Sequence, residues 1–351
     1  MSADVQAAFR DEERALTFGQ RLKYAVKAVS NVHRQGDQPN VFLFATARGG
    51  STWVMEIIAS QPGIKYYDEP LNIRRQNVQR TGLFPDWESV MPGTGDSDRI
   101  VRYLNGLAQG EYRFMNPPPF RPHHRWLTNR IVFKIHEIEH LIGRIARECR
   151  GQVVYLLRHP IPTTVSRRVF PRLELFLASD YYDRLIGDGP ELRELKRIGA
   201  TGSHLQRGTV SWCYENLIPL KHADFDGLFV TYEELALNPD RSCDLLMERL
   251  SLPDRGAMLR AFGQPSTNIA MSSVETRAMM TEADEQRRRR YLVTKWQAKV
   301  SAEDAAQVSA IMALFGLDVY TGKGLLPHPR YLHFEDTPAL LDGKSSGPDG
   351  E

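Results

Sequence analysis

The chain has 351 residues, 42% hydrophobic and 25% charged, enough to bury one sizeable core or at most two small ones. A net charge of +2 gives no global field for nucleic acid, although basic residues cluster locally. No apolar run of about 18 residues reads as a membrane span, no N-terminal secretory pattern is visible, and the scattered Cys149, Cys213 and Cys243 fit reduced thiols, so a cytoplasmic location is expected.

In chain order, residues 1–40 are expected as an N-terminal leader, helical over 5–34. VFLFA (41–45) is a continuous apolar run, as for a strand buried on both faces. The next helix carries Trp53, Val54, Ile57 and Ile58 on one face and stops at Pro62-Gly63. IKYY (64–67), IVFKIH (131–136), VVYLL (153–157) and LFVTY (228–232) read as further strands with helical stretches between them. This alternation predicts an α/β fold: a three-layer sandwich with a central parallel, doubly wound β-sheet, one domain over 41–335, and ligands at the carboxyl ends of the strands. Residues 72–130, with NPPPFRPHHRW, read as an irregular excursion, and 167–208 as helices over the sheet; both are expected to form lids or substrate walls. Residues 336–351 are expected to be a disordered tail.

The stretch FATARGGSTWVMEII (44–58) raises the question of an anion. Gly49 and Gly50 let the backbone approach one closely, and N–H groups at the helix start point at it. Ser51 and Thr52 add hydroxyl donors and Arg48 a positive charge. An ordinary strand–turn–helix connection with a Ser/Thr cap would use the same residues. A nucleoside triphosphate needs a lysine on its β- and γ-phosphates and a carboxylate-assisted Mg2+. Here Ser51 stands at the lysine position and the strand 153–157 ends in Arg158, so a P-loop nucleotide kinase is disfavoured. Arg158 and Ser166, eight residues apart across a Pro-containing turn, can converge on a second anion. RRRRYLVTKWQAKVS (287–301) is a third basic cluster, or else a solvated helix face.

Together the three clusters resemble the sulfotransferases that use 3′-phosphoadenosine 5′-phosphosulfate (PAPS). That family's first loop runs Lys or Arg, Ser or Gly, Gly, Ser or Thr, Thr, Trp, matched by Arg48 through Trp53. Its R-x7-S clamp for the 3′-phosphate is matched by Arg158 and Ser166. Its basic pair ahead of a Trp is matched by Arg289 and Arg290 before Trp296, although the family's following Gly is Tyr291 here. VTYEELALNP (230–239) is similar to its late strand–helix marker. The resemblance covers about residues 41–320 and implies the P-loop NTPase-like sulfotransferase fold, PAPS as co-substrate, 3′,5′-ADP as product and no required metal. It implies that Arg48, Gly49, Gly50, Ser51 and Thr52 hold the phosphosulfate and that Trp53 stacks on adenine. Trp53 as a plain core residue is the alternative its apolar neighbours allow.

Sulfuryl transfer, like phosphoryl transfer, asks the protein for positioning and charge stabilisation. Arg48, the loop N–H groups and Lys134 would supply the charge, and a general base would take the acceptor's proton. YYDEPLN puts Glu69 just past the second strand, where carbohydrate and many bacterial sulfotransferases carry a Glu-Pro with Glu as base. VFKIHE puts Lys134 and His136 on one face of a strand, the spacing at which cytosolic phenol and steroid sulfotransferases carry a Lys and a His base. Glu69 is the first candidate and His136 the second. The acceptor is a hydroxyl, or an amine, on a small molecule, glycan or lipid; no nucleic-acid partner is expected, and a homo-oligomer is left open. HEIEH (136–140) also spells H-E-x-x-H, the zinc-hydrolase pattern, but IVF ahead of it favours a strand over the helix that zinc binding needs, and no metal is expected.

Overall fold

Five apolar runs become five parallel strands: β1 (Asn40–Ala45), β2 (Ile64–Asp68), β3 (Arg130–Ile135), β4 (Gly151–Leu157) and β5 (Gly227–Thr231), in the order β2-β3-β1-β4-β5. The computed structural model describes residues 30–79, 81–111, 123–268 and 274–341, together with 17–19, 22, 25 and 26. Alternate residues of β1 feed two cores. Phe42 and Phe44 join Phe133 and Tyr155 on one face, while Val41 and Leu43 join Val132 and Val154 on the other. Phe42 and Phe133 are register partners, and their rings stack at 4.7 Å.

Helices cover both faces, giving the three layers expected. Val54, Ile57 and Ile58 of the helix Ser51–Ala59 lie over one face. The helices Ile142–Glu148 and His204–Leu217 cover the other. From β1 the chain passes outward to β2, returns to β3, then crosses to β4 on the far side of β1. The winding reverses around β1, so its carboxyl end, flanked by those of β3 and β4, is the expected ligand crevice.

Three expectations need adjustment. The excursion 72–130 contains a regular 13-residue helix, Ser97–Gln109, capped by Asp96 and burying Ile100, Tyr103, Leu104 and Leu107. Its NPPPFRP portion lies outside the described residues. The helical leader over 5–34 is mostly outside them too, and near its end Val32–His33 pairs in parallel with Leu127–Thr128. The tail is not irregular from 336 onward. A short helix, Thr337–Leu341, is tied by Thr337 to Asn238 at 3.0 Å, and Leu340 and Leu341 pack against the core; residues 342–351 lie outside the described set.

Candidate active site

Strand β1 stops at Ala45, and a turn closed by Gly49 N–H on the Thr46 carbonyl (2.9 Å) leads into the helix Ser51–Ala59. Gly50 must be glycine on two counts. Its φ is 95°, and a Cβ there would lie 2.5 Å from the Tyr232 ring. The helix start has no side-chain cap and no acidic residue in its first turn. Its leading N–H groups and the positive end of the helix dipole are thus left to an anion. Arg48 sits exposed on this turn in a left-handed conformation, φ 69°.

Beside the loop lies a closed ring of charges. The β2–β3 register sets Asp68 opposite Lys134. The Lys134 ammonium is 2.5 Å from Asp68 and 3.1 Å from Glu69, and it donates to Thr52 Oγ1 at 3.0 Å. Arg75 closes the ring, 2.7 Å from Asp68 and 3.2 Å from Glu69. Asn72 donates to Glu69 at 2.7 Å. Burial alone would raise the Glu69 carboxyl. Lys134, His136, Arg75 and the Asn72 amide outweigh it and hold Glu69 well below the ordinary carboxylate range. Burial pulls Lys134 down, but Glu69 and Asp68 overcome this and keep it firmly charged.

His136 follows β3 and joins the two halves of the site. Its Nε2 is 2.9 Å from Ser51 Oγ, and its Nδ1 is 3.5 Å from Glu69 Oε1. Burial, partly offset by Glu69, lowers its pKa to about 4, so the ring is neutral near pH 7. Both sequence candidates for the base therefore meet, with Lys134, at the mouth of the loop. The H-E-x-x-H helix does not form. Ile138 turns left-handed at φ 58°, a 3-10 turn, Glu139–Leu141, follows, and the α-helix begins only at Ile142, past His140. Glu139, two residues past the motif's Glu137, is bound by both terminal nitrogens of Arg172, at 2.6 and 2.9 Å, and Arg172 also donates to the His136 carbonyl at 2.7 Å. Among the described residues no group of three or more His, Cys, Asp and Glu is arranged to hold a metal.

On the other side of Gly50 a cleft of about 160 Å³ is lined by Trp53, Tyr232, Phe262, Arg158, Arg289 and Lys295, among others. Trp53 is half-buried and meets Tyr232 and Phe262 edge-on, so it is a wall of the cleft as well as a core contact. The Arg158 guanidinium lies 3.9 Å over the Tyr232 ring and donates to the Arg48 carbonyl at 3.3 Å. Its Nε is buried and has no hydrogen-bond partner among the described residues. Burial, then Arg158 and Lys299, lower Lys295 to about 8.

Two expected anion ligands are not brought into this cleft. Ser166 is exposed, and its hydroxyl donates to the Thr163 carbonyl at 2.9 Å. Arg290 turns away to the Leu340 carbonyl at 3.0 Å. Sequence reasoning assigns no site role to Asp68, Asn72, Tyr232, Phe262, Arg288 or Lys295, the last two seen only as part of the basic stretch 287–301, and it reads Arg74 and Arg75 as solvated surface arginines or a hint of an acidic acceptor. A signal existed for two of them: Asp68 adjoins Glu69 in YYDEPLN, and Lys295 adjoins Trp296.

No family model matches the chain, and no curated protein matches it. Solved structures do. The chain is similar in structure to sulfotransferases. One is the mouse sulfotransferase SULT7A1 complexed with PAP, at 14% identity and TM-score 0.38, covering 92% of this chain and 93% of that one. Another is the sulfotransferase domain of the Synechococcus PCC 7002 olefin synthase, at 15% identity and TM-score 0.39, covering 83% and 100%. A third is retinol dehydratase in complex with androsterone and inactive cofactor PAP, at 16% and 0.38, covering 84% and 85%. The likeness is distant, and the functional reading rests on the side chains of the site.

Proposed function

We propose that this protein is a PAPS-dependent sulfotransferase that moves the sulfuryl group of PAPS to a hydroxyl or amine acceptor, releasing 3′,5′-ADP and a sulfated product. The observation that carries this is the meeting, at one strand edge, of an uncapped glycine loop with Lys134 on Thr52 and with two proton acceptors, Glu69 and His136. The donor fits the residues present. The tight turn that presents the loop N–H groups is one only glycine allows, since a Cβ on Gly49 or Gly50 would meet the Thr46 carbonyl or the Tyr232 ring, and Arg158 offers an N–H that is buried and unpartnered among the described residues, beside the aromatic cleft.

In the transfer, the acceptor oxygen or nitrogen forms a bond to sulfur as the bond from sulfur to the 5′-phosphate oxygen breaks. The electron pair and its charge stay on that phosphate, and the acceptor proton passes to the base. Arg48, Lys134 and the loop N–H groups are proposed to stabilise the developing charge. Glu69 is the proposed base, with His136 bridging it to Ser51. Arg158 is proposed to hold the 3′-phosphate together with Ser166 and the basic helix Glu285–Thr294, through Arg289 and Arg290. For Ser166 and Arg290 this requires side-chain movement, or water between them and the phosphate. The acceptor is proposed to be a small molecule, glycan or lipid, and the location cytoplasmic; no helix among the described residues is long and apolar enough to cross a membrane.

The test is release of 3′,5′-ADP from PAPS, with label appearing in product, across a panel of alcohols, phenols, sugars and amines. Transfer of phosphate from Mg-ATP to the same panel, without sulfate transfer, would sink the proposal. Arg158→Ala is expected to weaken 3′,5′-ADP binding by about 1.5–3 kcal/mol while slowing the bound step much less, because a contact remote from the sulfur gives mostly uniform binding. Calorimetry showing unchanged affinity would make Arg158 a strand-end residue stacked on Tyr232 and nothing more.

A further inference from the structure

Lys134 has three N–H donors and, among the described residues, three oxygen neighbours: Asp68 at 2.5 Å, Thr52 at 3.0 Å and Glu69 at 3.1 Å. An anion on the loop gains an N–H from Lys134 only if one neighbour gives way. Asp68 has the shorter of the two carboxylate contacts and is fixed across from Lys134 by the strand register. Glu69 lies one residue beyond the strand, at a left-handed φ of 55°, and has other partners in Asn72, Arg75 and His136. Of the two carboxylate contacts, the one to Glu69 is the easier to surrender.

We propose that Asp68 is a positioning residue that anchors Lys134, so that arrival of the anionic donor frees Glu69 from the ammonium and leaves it able to accept the acceptor's proton. This rests on reading the loop as the donor site. It answers a difficulty in the empty site, where Lys134, Arg75 and Asn72 all hold Glu69 and make it a poor base. The anchoring charge has a second effect in the same direction. A carboxylate beside Glu69 and His136 favours protonation of both, and without it each would be a weaker base. Other carboxylates whose fields reach this group are Glu56, buried on the helix Ser51–Ala59 and bonded to Thr267, Glu215 on the helix His204–Leu217, and Glu137 next to His136.

The experiment compares wild type, Asp68→Asn, Lys134→Met and the double variant. Binding of 3′,5′-ADP is read by calorimetry and its release from PAPS by chromatography, with water as acceptor where no other is supplied. Asp68→Asn is expected to bind 3′,5′-ADP about two- to fivefold tighter, since one competitor for Lys134 is gone. It is expected to turn over bound PAPS about three- to tenfold more slowly, since Glu69 then keeps the ammonium. The gain in binding should vanish in the Lys134→Met background. A merely structural carboxylate would not tighten ligand binding while slowing turnover. Asp68→Ser should show the same signature if Asp68→Asn folds poorly. Unchanged or weaker binding in the Asp68 variants, or a gain that survives loss of Lys134, overturns the proposal. Failure of the underlying reading looks different: wild type would bind neither compound, and the proposal would fall with it.

Discussion

Glu69→Gln is expected to keep 3′,5′-ADP binding while lowering turnover by about 10²–10⁴-fold, the usual contribution of a positioned general base. The amide preserves the shape and can still bond Asn72, but it can neither accept a proton nor stabilise a charged His136, whose Nδ1 faces it at 3.5 Å. His136→Asn should cost less and act through geometry, by loosening the link to Ser51. The opposite ranking, His136→Asn nearly inactive and Glu69→Gln close to wild type, would hand the proton to His136. The pH dependence gives an independent check. Glu69 lies well below the ordinary carboxylate range and His136 near 4, so both are proton-free through neutrality. Turnover should be flat over about pH 6–8 and fall only on the acid side. A rise centred near the ordinary histidine value of 6.5 would mean that an unperturbed histidine is the base.

Lys134→Met is expected to cost about 3–5 kcal/mol of stability, because it removes the cation from a buried pair and leaves its partners uncompensated. Lys134 is 3% exposed between Asp68 and Glu69, which would then face each other with Arg75 as the remaining cation of the ring. In a chain of this size that corresponds to a fall in Tm on the order of 4–7 °C. The sign with pH follows from Glu69. A depressed carboxylate contributes stability above its unfolded value and loses it as pH falls through its folded value. The gap between wild type and variant should therefore narrow as pH drops below the ordinary glutamate value of 4.5. Adding Asp68→Asn should recover part of the loss. A melting curve for Lys134→Met superimposed on wild type would show that the ring of charges is solvated and holds nothing in place.

The strands and the loop were legible because their signals are local. Continuous apolar runs such as VFLFA give buried strands, and glycines ahead of an apolar helix give an anion loop. Lys134 and His136 were placed together by reading 131–136 as one strand with alternate residues on a face, although the strand ends at Ile135 and His136 lies one residue past it. Asp68 opposite Lys134 was not legible, because the pairing depends on the β2–β3 register and is written in neither segment alone. The helix Ser97–Gln109 was hidden for a different reason. Its apolar spacing, Ile100, Leu104 and Leu107, sits between the Gly- and Pro-rich stretch 92–95 and Gly110, which read as loop. Arg290 looked like a cofactor ligand by position, but the end of the chain returns to it and Leu340 accepts its N–H, a contact 50 residues away in sequence.

The most direct measurement is a calorimetric titration with 3′,5′-ADP beside Mg-ATP and beside 5′-ADP, which lacks the 3′-phosphate, with melting curves on the same samples. A saturable single site for 3′,5′-ADP is expected, with about 2.7 kcal/mol of stabilisation at a ligand concentration one hundred times the Kd. Mg-ATP should bind far more weakly, because Ser51 stands where a triphosphate needs a lysine. The 5′-ADP should fall between them, having lost the Arg158 contact. Equal or tighter binding of Mg-ATP, or no binding of 3′,5′-ADP at all, would contradict the assignment of the Arg48–Trp53 loop to a phosphosulfate donor.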